Sequence, residues 1–265
     1  MGRSFARVLA AMAMPALLVA CASSTMSRSR TPDASARGSA APPRLAAVCS
    51  SDSVVRAQEM WFRASDGVRL YGIETGAGRT AVVLAHEGGA DLCGWLPYVS
   101  TLQKAGLRVF AFDFRAYGSS DRPSTGTLAL GRDLAAAVAR VRSSGAANVF
   151  LVGASMGGAA VVQNTSDINV SGRISLSGTR LWTGYGINDP AGVRHISAPF
   201  LYIGSRDDPR APGSEAQSVY RNVGSADKQI VLYPGVMHGW DLVEQPPNGV
   251  RTRALILNWI SARSR

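Results

Sequence analysis

The run Asn148-Val149-Phe150-Leu151-Val152-Gly153-Ala154-Ser155-Met156-Gly157-Gly158 changes character at its middle. Its first five residues are mostly β-branched or apolar, as in a strand buried on both faces. A helix is predicted from Met156 onward. Between the two, Gly153-Ala154-Ser155-Met156-Gly157 follows the pattern G-x-S-x-G. A serine exposed at the top of a sheet must sit on a sharp, strained turn, and the residues two positions away must then be nearly free of side chain. Gly153 and Gly157 meet that demand. The turn lifts the hydroxyl clear of the sheet edge and sets it at the amino end of a helix, where N–H groups favour developing negative charge. Ser155 is therefore the candidate nucleophile.

On either side of this stretch, short apolar runs alternate with helical spacing. Strands are predicted over 60–63, 68–73, 80–85, 107–112, 148–152, 170–177, 199–204 and 229–233. Helices are predicted over 96–104, 128–142, from 156, 214–222 and 252–261. Ser65-Asp66-Gly67 has turn chemistry, so the first two strands form a hairpin. Strand and helix alternating in this way predict an α/β fold, with a mainly parallel central sheet covered by helices on both faces and an antiparallel hairpin at one edge. Only about twenty residues separate Ser177 from Pro199, which leaves room for a minimal lid.

Three segments together carry a family resemblance. Besides the G-x-S-x-G turn, Ala85-His86-Glu87-Gly88-Gly89 follows the third strand, and Asp113-Phe114-Arg115-Ala116-Tyr117-Gly118-Ser119-Ser120 follows the fourth. They resemble the corresponding segments of the α/β-hydrolase family over residues 60 to 262. Ala116 and Glu87 stand where the family usually has glycine. The resemblance implies an α/β-hydrolase fold and a triad in the order serine, acid, histidine. The acid belongs just past the strand after the lid, where Asp207 and Asp208 compete. Asp208 fits D-x-x-V-P as Asp208-Pro209-Arg210-Ala211-Pro212 and is preferred, while Asp207 fits the spacing from Gly204. The histidine belongs after the last strand, where His238 sits in a glycine-flanked loop. The oxyanion donors implied are the N–H groups of Met156 and Gly88. His86 is expected to support its loop and His195 to be structural. Glu87 would oppose catalysis if it faced the oxyanion, so it is expected to turn to solvent or pair with an arginine. Trp95, Trp182 and Trp240 are candidates for an apolar acyl pocket.

A serine nucleophile implies acyl transfer to water from a small-molecule ester, and carboxylesterase is the commonest activity of such a constellation. The alternatives are an acyltransferase, thioesterase or peptidase on the same triad, or a binding lipoprotein that has lost catalysis. An imidazole exchanges protons near neutral pH, so His238 is suited to act as the general base.

The amino terminus sets the expected compartment. Arg3 and Arg7 precede an apolar stretch too short for a confident membrane span, and Leu18-Val19-Ala20-Cys21 follows. This resembles a signal peptide over 1–20 ending in the lipobox of bacterial lipoproteins. It predicts export, lipidation of Cys21 and anchoring on the outer face of the cytoplasmic membrane or cell envelope. Residues 21–54, rich in Ser, Ala, Pro and Arg, are expected to be a flexible tether to a hydrolase domain over 55–265. Cys49 and Cys93 either pair, as an exported setting permits, or remain buried thiols. The net charge of +10 comes almost wholly from arginine, with Lys104 and Lys228 the two lysines. No basic run with interleaved aromatics predicts nucleic-acid binding. No His/Cys cluster predicts a metal, and no motif predicts a cofactor.

Overall fold

The computed structural model describes residues 40–50, 55–124, 126, 128–163, 168–180 and 191–264. The expected signal peptide, Cys21, most of the expected tether and Trp182 lie outside them. One compact unit spans Ala41–Arg265.

Among the described residues, eight strands form one sheet: β1 (Gln58–Arg63), β2 (Arg69–Thr75), β3 (Thr80–Ala85), β4 (Arg108–Phe112), β5 (Asn148–Ala154), β6 (Gly172–Leu176), β7 (Phe200–Ser205) and β8 (Lys228–Tyr233). Their order is β1-β2-β4-β3-β5-β6-β7-β8. β2 runs antiparallel to both β1 and β4, and all other pairings are parallel. The predicted hairpin thus forms the antiparallel edge. β2 and β7 are buried along their whole length and β3 along nearly all of it, as strands covered on both faces must be.

Successive side chains of β3 feed two cores, as the period of two requires. Val82 and Leu84 pack with α2 (Leu96–Lys104) and α7 (Gly249–Ser261) through Leu96, Val99, Leu102, Ile256 and Ile260. Ala81 and Val83 pack with α3 (Leu130–Ser143) and α4 (Met156–Val162) through Leu134, Val138, Met156 and Ala160. On β7, Phe200 and Tyr202 meet α5 (Gly213–Asn222) through Ala216 and Val219. Helices therefore cover both faces.

The tether expectation ends too late. Residues 45–48 form α1, Leu45 and Cys49 are buried in the first core, and a disulfide joins Cys49 to Cys93 with the Cα atoms 5.5 Å apart. Tyr71 Oη also donates to the Pro43 carbonyl at 3.1 Å. The segment adheres because it brings an apolar residue, a cysteine and a backbone acceptor to one patch. Ala116, where a glycine was expected, takes φ 68°, a left-handed conformation that costs a non-glycine residue roughly 1–2 kcal/mol. Arg115 behind it is buried and held by both Asp133 and Asp66, at 2.7 Å each. Among the described residues, no helix is long and apolar enough to cross a membrane.

Candidate active site

The carboxyl ends of the parallel strands bring the predicted residues together. β5 ends at Ala154, and Ser155 follows with φ 50°, ψ −110°, a strained conformation for a non-glycine residue. The surroundings hold it there. Ser155 N–H donates to the Leu176 carbonyl at 2.9 Å, tying the turn to the end of β6. Gly157 N–H donates to the His86 carbonyl at 3.0 Å, tying it to the end of β3. A Cβ at Gly153 would overlap the Gly157 carbonyl, and one at Gly157 would overlap that of Ala85.

His238 sits in the loop after β8 and Asp208 in the turn after β7. His238 Nε2 lies 2.7 Å from Ser155 Oγ, and its Nδ1 lies 2.6 Å from Asp208 Oδ2. An ionised carboxylate only accepts, so the proton belongs on Nδ1, and Nε2 is free to accept from the hydroxyl. Asp208 Oδ1 accepts the N–H groups of Arg210 at 2.9 Å and Ala211 at 3.2 Å. Burial pushes the Asp208 carboxyl up, but the His238 bond and these two N–H groups outweigh it and hold it below the usual range. The three residues are nearly shielded from solvent, with Ser155 5%, His238 8% and Asp208 1% exposed. A hydroxyl, an oriented imidazole and a buried carboxylate in series can move a proton off the serine and stabilise the resulting imidazolium.

Asp207 does not join them. It is exposed, and its N–H donates to the Gly235 carbonyl at 3.0 Å, so it serves the turn. Gly88 is exposed in the turn after β3, on the same end of the sheet as Met156. His195 is exposed on a 3-10 turn before β7.

His86 is wholly buried. Its Nδ1 donates to the Glu87 carbonyl at 2.7 Å, and its Nε2 accepts from Phe114 N–H at 3.0 Å. Burial pulls its imidazole down to about 4, so it stays neutral and spans the loops after β3 and β4. Glu87 departs from expectation. It is half-buried and, among the described residues, forms no arginine pair; its Oε1 accepts the Trp240 N–H at 2.7 Å. The reason is local, because Gly239 leaves the space that the carboxylate fills. Sequence reasoning missed this contact, and the glycine directly after His238 was the available signal. Trp95, a pocket candidate, is fully buried and meets Trp240 edge to face, with ring centroids 5.9 Å apart. A solvent-open depression of about 610 Å³ lies among Arg56, Glu74, Arg108 and Ser144. It is at the opposite end of the sheet and includes none of the residues around Ser155.

A family model described as the alpha/beta hydrolase family matches residues 82–186. Among solved structures, the chain is similar to an esterase from Pyrococcus furiosus, with a TM-score of 0.72 and 17% identity over 85% of this chain and 98% of that one. The chain has the α/β-hydrolase fold. It is similar also to a soluble variant of the monoglyceride lipase of Saccharomyces cerevisiae, with a TM-score of 0.66 and 14% identity over 81% of this chain and 97% of that one. A monoacylglycerol lipase from Paleococcus ferrophilus gives 0.63 and 18% over 74% and 99%. No curated protein matches the sequence significantly. At these identities the solved structures speak to the α/β-hydrolase fold alone.

Proposed function

We propose that the protein is a carboxylesterase-like serine hydrolase that cleaves an ester-type acyl bond of a small molecule through Ser155, His238 and Asp208. The observation that carries this reading is the continuous series from Ser155 Oγ to His238 at 2.7 Å and from His238 to Asp208 at 2.6 Å. The α/β-hydrolase fold and the family match over 82–186 support it. In this mechanism Ser155 Oγ attacks the acyl carbonyl while His238 Nε2 takes its proton. The N–H groups of Met156 and Gly88 stabilise the oxyanion, and removing such a donor typically costs about 3–4 kcal/mol. His238 then protonates the leaving alkoxide. Water, activated by the same imidazole, releases the acyl group from Ser155. No cofactor takes part.

We place this activity outside the cytoplasm, on a protein anchored through a lipid on Cys21. The Cys49–Cys93 disulfide suits an oxidising compartment. Labelling of the expressed chain with a palmitate analogue, lost in Cys21→Ser, is the expected result; a soluble, unlabelled wild type rejects the anchor.

The test of catalysis uses the full chain with short and medium acyl p-nitrophenyl esters and a fluorophosphonate probe. Ser155→Ala and His238→Ala should each lower kcat/KM by about 10³-fold or more. Asp208→Ala should fall steeply, while Asp207→Ala stays near wild type. A folded wild type that ignores both esters and probe would reject catalysis and leave a binding lipoprotein as the successor.

A further inference from the structure

Glu87 puts a carboxylate one residue before Gly88, the expected oxyanion donor, where a free negative charge would work against the reaction. The molecule makes room for it from two directions. Gly239 has φ 57°, and a Cβ there would overlap Glu87 Oε1. Beyond it, Trp240 presents its N–H to that oxygen at 2.7 Å, and its ring is accommodated because Gly94 lacks a Cβ. The two residues after His238 are thus shaped around Glu87, one by absence of a side chain and the other by its backbone donor. Glu87 also stands on a fixed base. Its carbonyl accepts from His86, whose ring accepts from Phe114 and whose carbonyl accepts from Gly157 of the nucleophile turn.

We infer that Glu87 is a positioning residue: its carboxylate latches the loop carrying His238 to the loop carrying Gly88, so that the base and the oxyanion donor keep one spacing. The latch is a geometric fact of the two loops; its effect on turnover rests on the hydrolase reading. The charged groups that act on Glu87 are His238, Asp241 and Arg210. Burial pushes its carboxyl up, while the Trp240 N–H and a protonated His238 draw it down. A charge-assisted bond to an N–H is stronger than a neutral one, yet an amide oxygen of the same reach still accepts.

The experiment is a double-mutant cycle in the full chain with Glu87→Ala, Glu87→Gln, Gly239→Ala and Glu87→Ala/Gly239→Ala. It has two readouts: hydrogen exchange at the Trp240 amide, and kcat and KM for a p-nitrophenyl ester. Glu87→Ala should speed exchange at Trp240 about tenfold or more and lower kcat about tenfold, with KM within about twofold. Glu87→Gln should stay within about threefold of wild type on both. Gly239→Ala expels the carboxylate, so the double variant should be no worse than Gly239→Ala alone. Wild-type exchange in Glu87→Ala, or effects that multiply in the double variant, overturns the latch. A wild type silent to ester and fluorophosphonate rejects the hydrolase reading instead, and the exchange data still decide the latch.

Discussion

His86 is fully buried, and burial pulls its imidazole to about 4 from an ordinary 6.5. Between those values the unfolded chain binds a proton that the folded chain refuses. Stability from this residue is therefore complete above pH 6.5 and lost as pH falls through the window to 4, by up to about 3 kcal/mol. Denaturation midpoints of wild type should drop across that window, and those of His86→Gln should drop less; parallel curves would remove His86 from the account. The histidine set between Ser155 and a carboxylate is the other one, His238, and its partner shows where sequence stops. Asp207 and Asp208 are the same residue type, one position apart, on one turn. Spacing favoured Asp208 without excluding its neighbour. What separates them is backbone direction: Arg210 and Ala211 turn their N–H groups onto Asp208 Oδ1, while Asp207 is spent on closing the turn to Gly235. Glu87 was visible as a departure and Gly239 as a missing side chain beside His238, yet only the fold brings the two loops together.

At the scale of elements, the turn between β5 and α4 is packed directly against backbone. Gly157 abuts the Ala85 carbonyl, which is backbone and cannot yield as a flexible side chain would. Gly157→Ala should therefore cost about 1–3 kcal/mol of stability and lower ester turnover as Ser155 shifts. Denaturant titration beside a fluorophosphonate labelling rate checks both, and unchanged values would mean that the turn tolerates far more than its contacts allow. The central strands were legible because burial on both faces writes a continuous apolar run, so β3 coincides with the predicted 80–85; α2 matches the predicted 96–104 through its one buried face. The first strand, β1, begins two residues before its prediction, at Gln58. Short elements left no such mark. α1 and the helix over Asp241–Glu244 have four residues each, too few to show a period, and tertiary contacts hold them in place.

At the scale of the whole molecule, the charge of +10 is partly internal bookkeeping, for several arginines serve the fold. Arg108 and Arg140 share Glu74, Arg69 reaches Asp121, and Arg263 reaches Asp227. The other molecule-wide constraint is the Cys49–Cys93 bridge, which closes a separation of 44 residues. Composition left pairing open, since only the docking of α1 brings the two cysteines within reach. Cys93→Ser should lower unfolding free energy by about 2–4 kcal/mol. It should also loosen residues 41–50, read as faster proteolysis there with the rest of the domain intact. Equal stability of the oxidised and reduced chains would reduce the bridge to an incidental contact.

That bridge also decides how the domain bears a mechanical load. Tension applied to the chain before residue 41 would load the docked residues 43–48, then pass at Cys49 through sulfur to Cys93, on the turn that ends at Trp95. It would bypass β1, the edge strand that a pull on the backbone would otherwise peel away as the opening step. A protein held by its amino terminus in a moving fluid would then yield at high force with the disulfide closed, and would unzip from the hairpin once it is reduced.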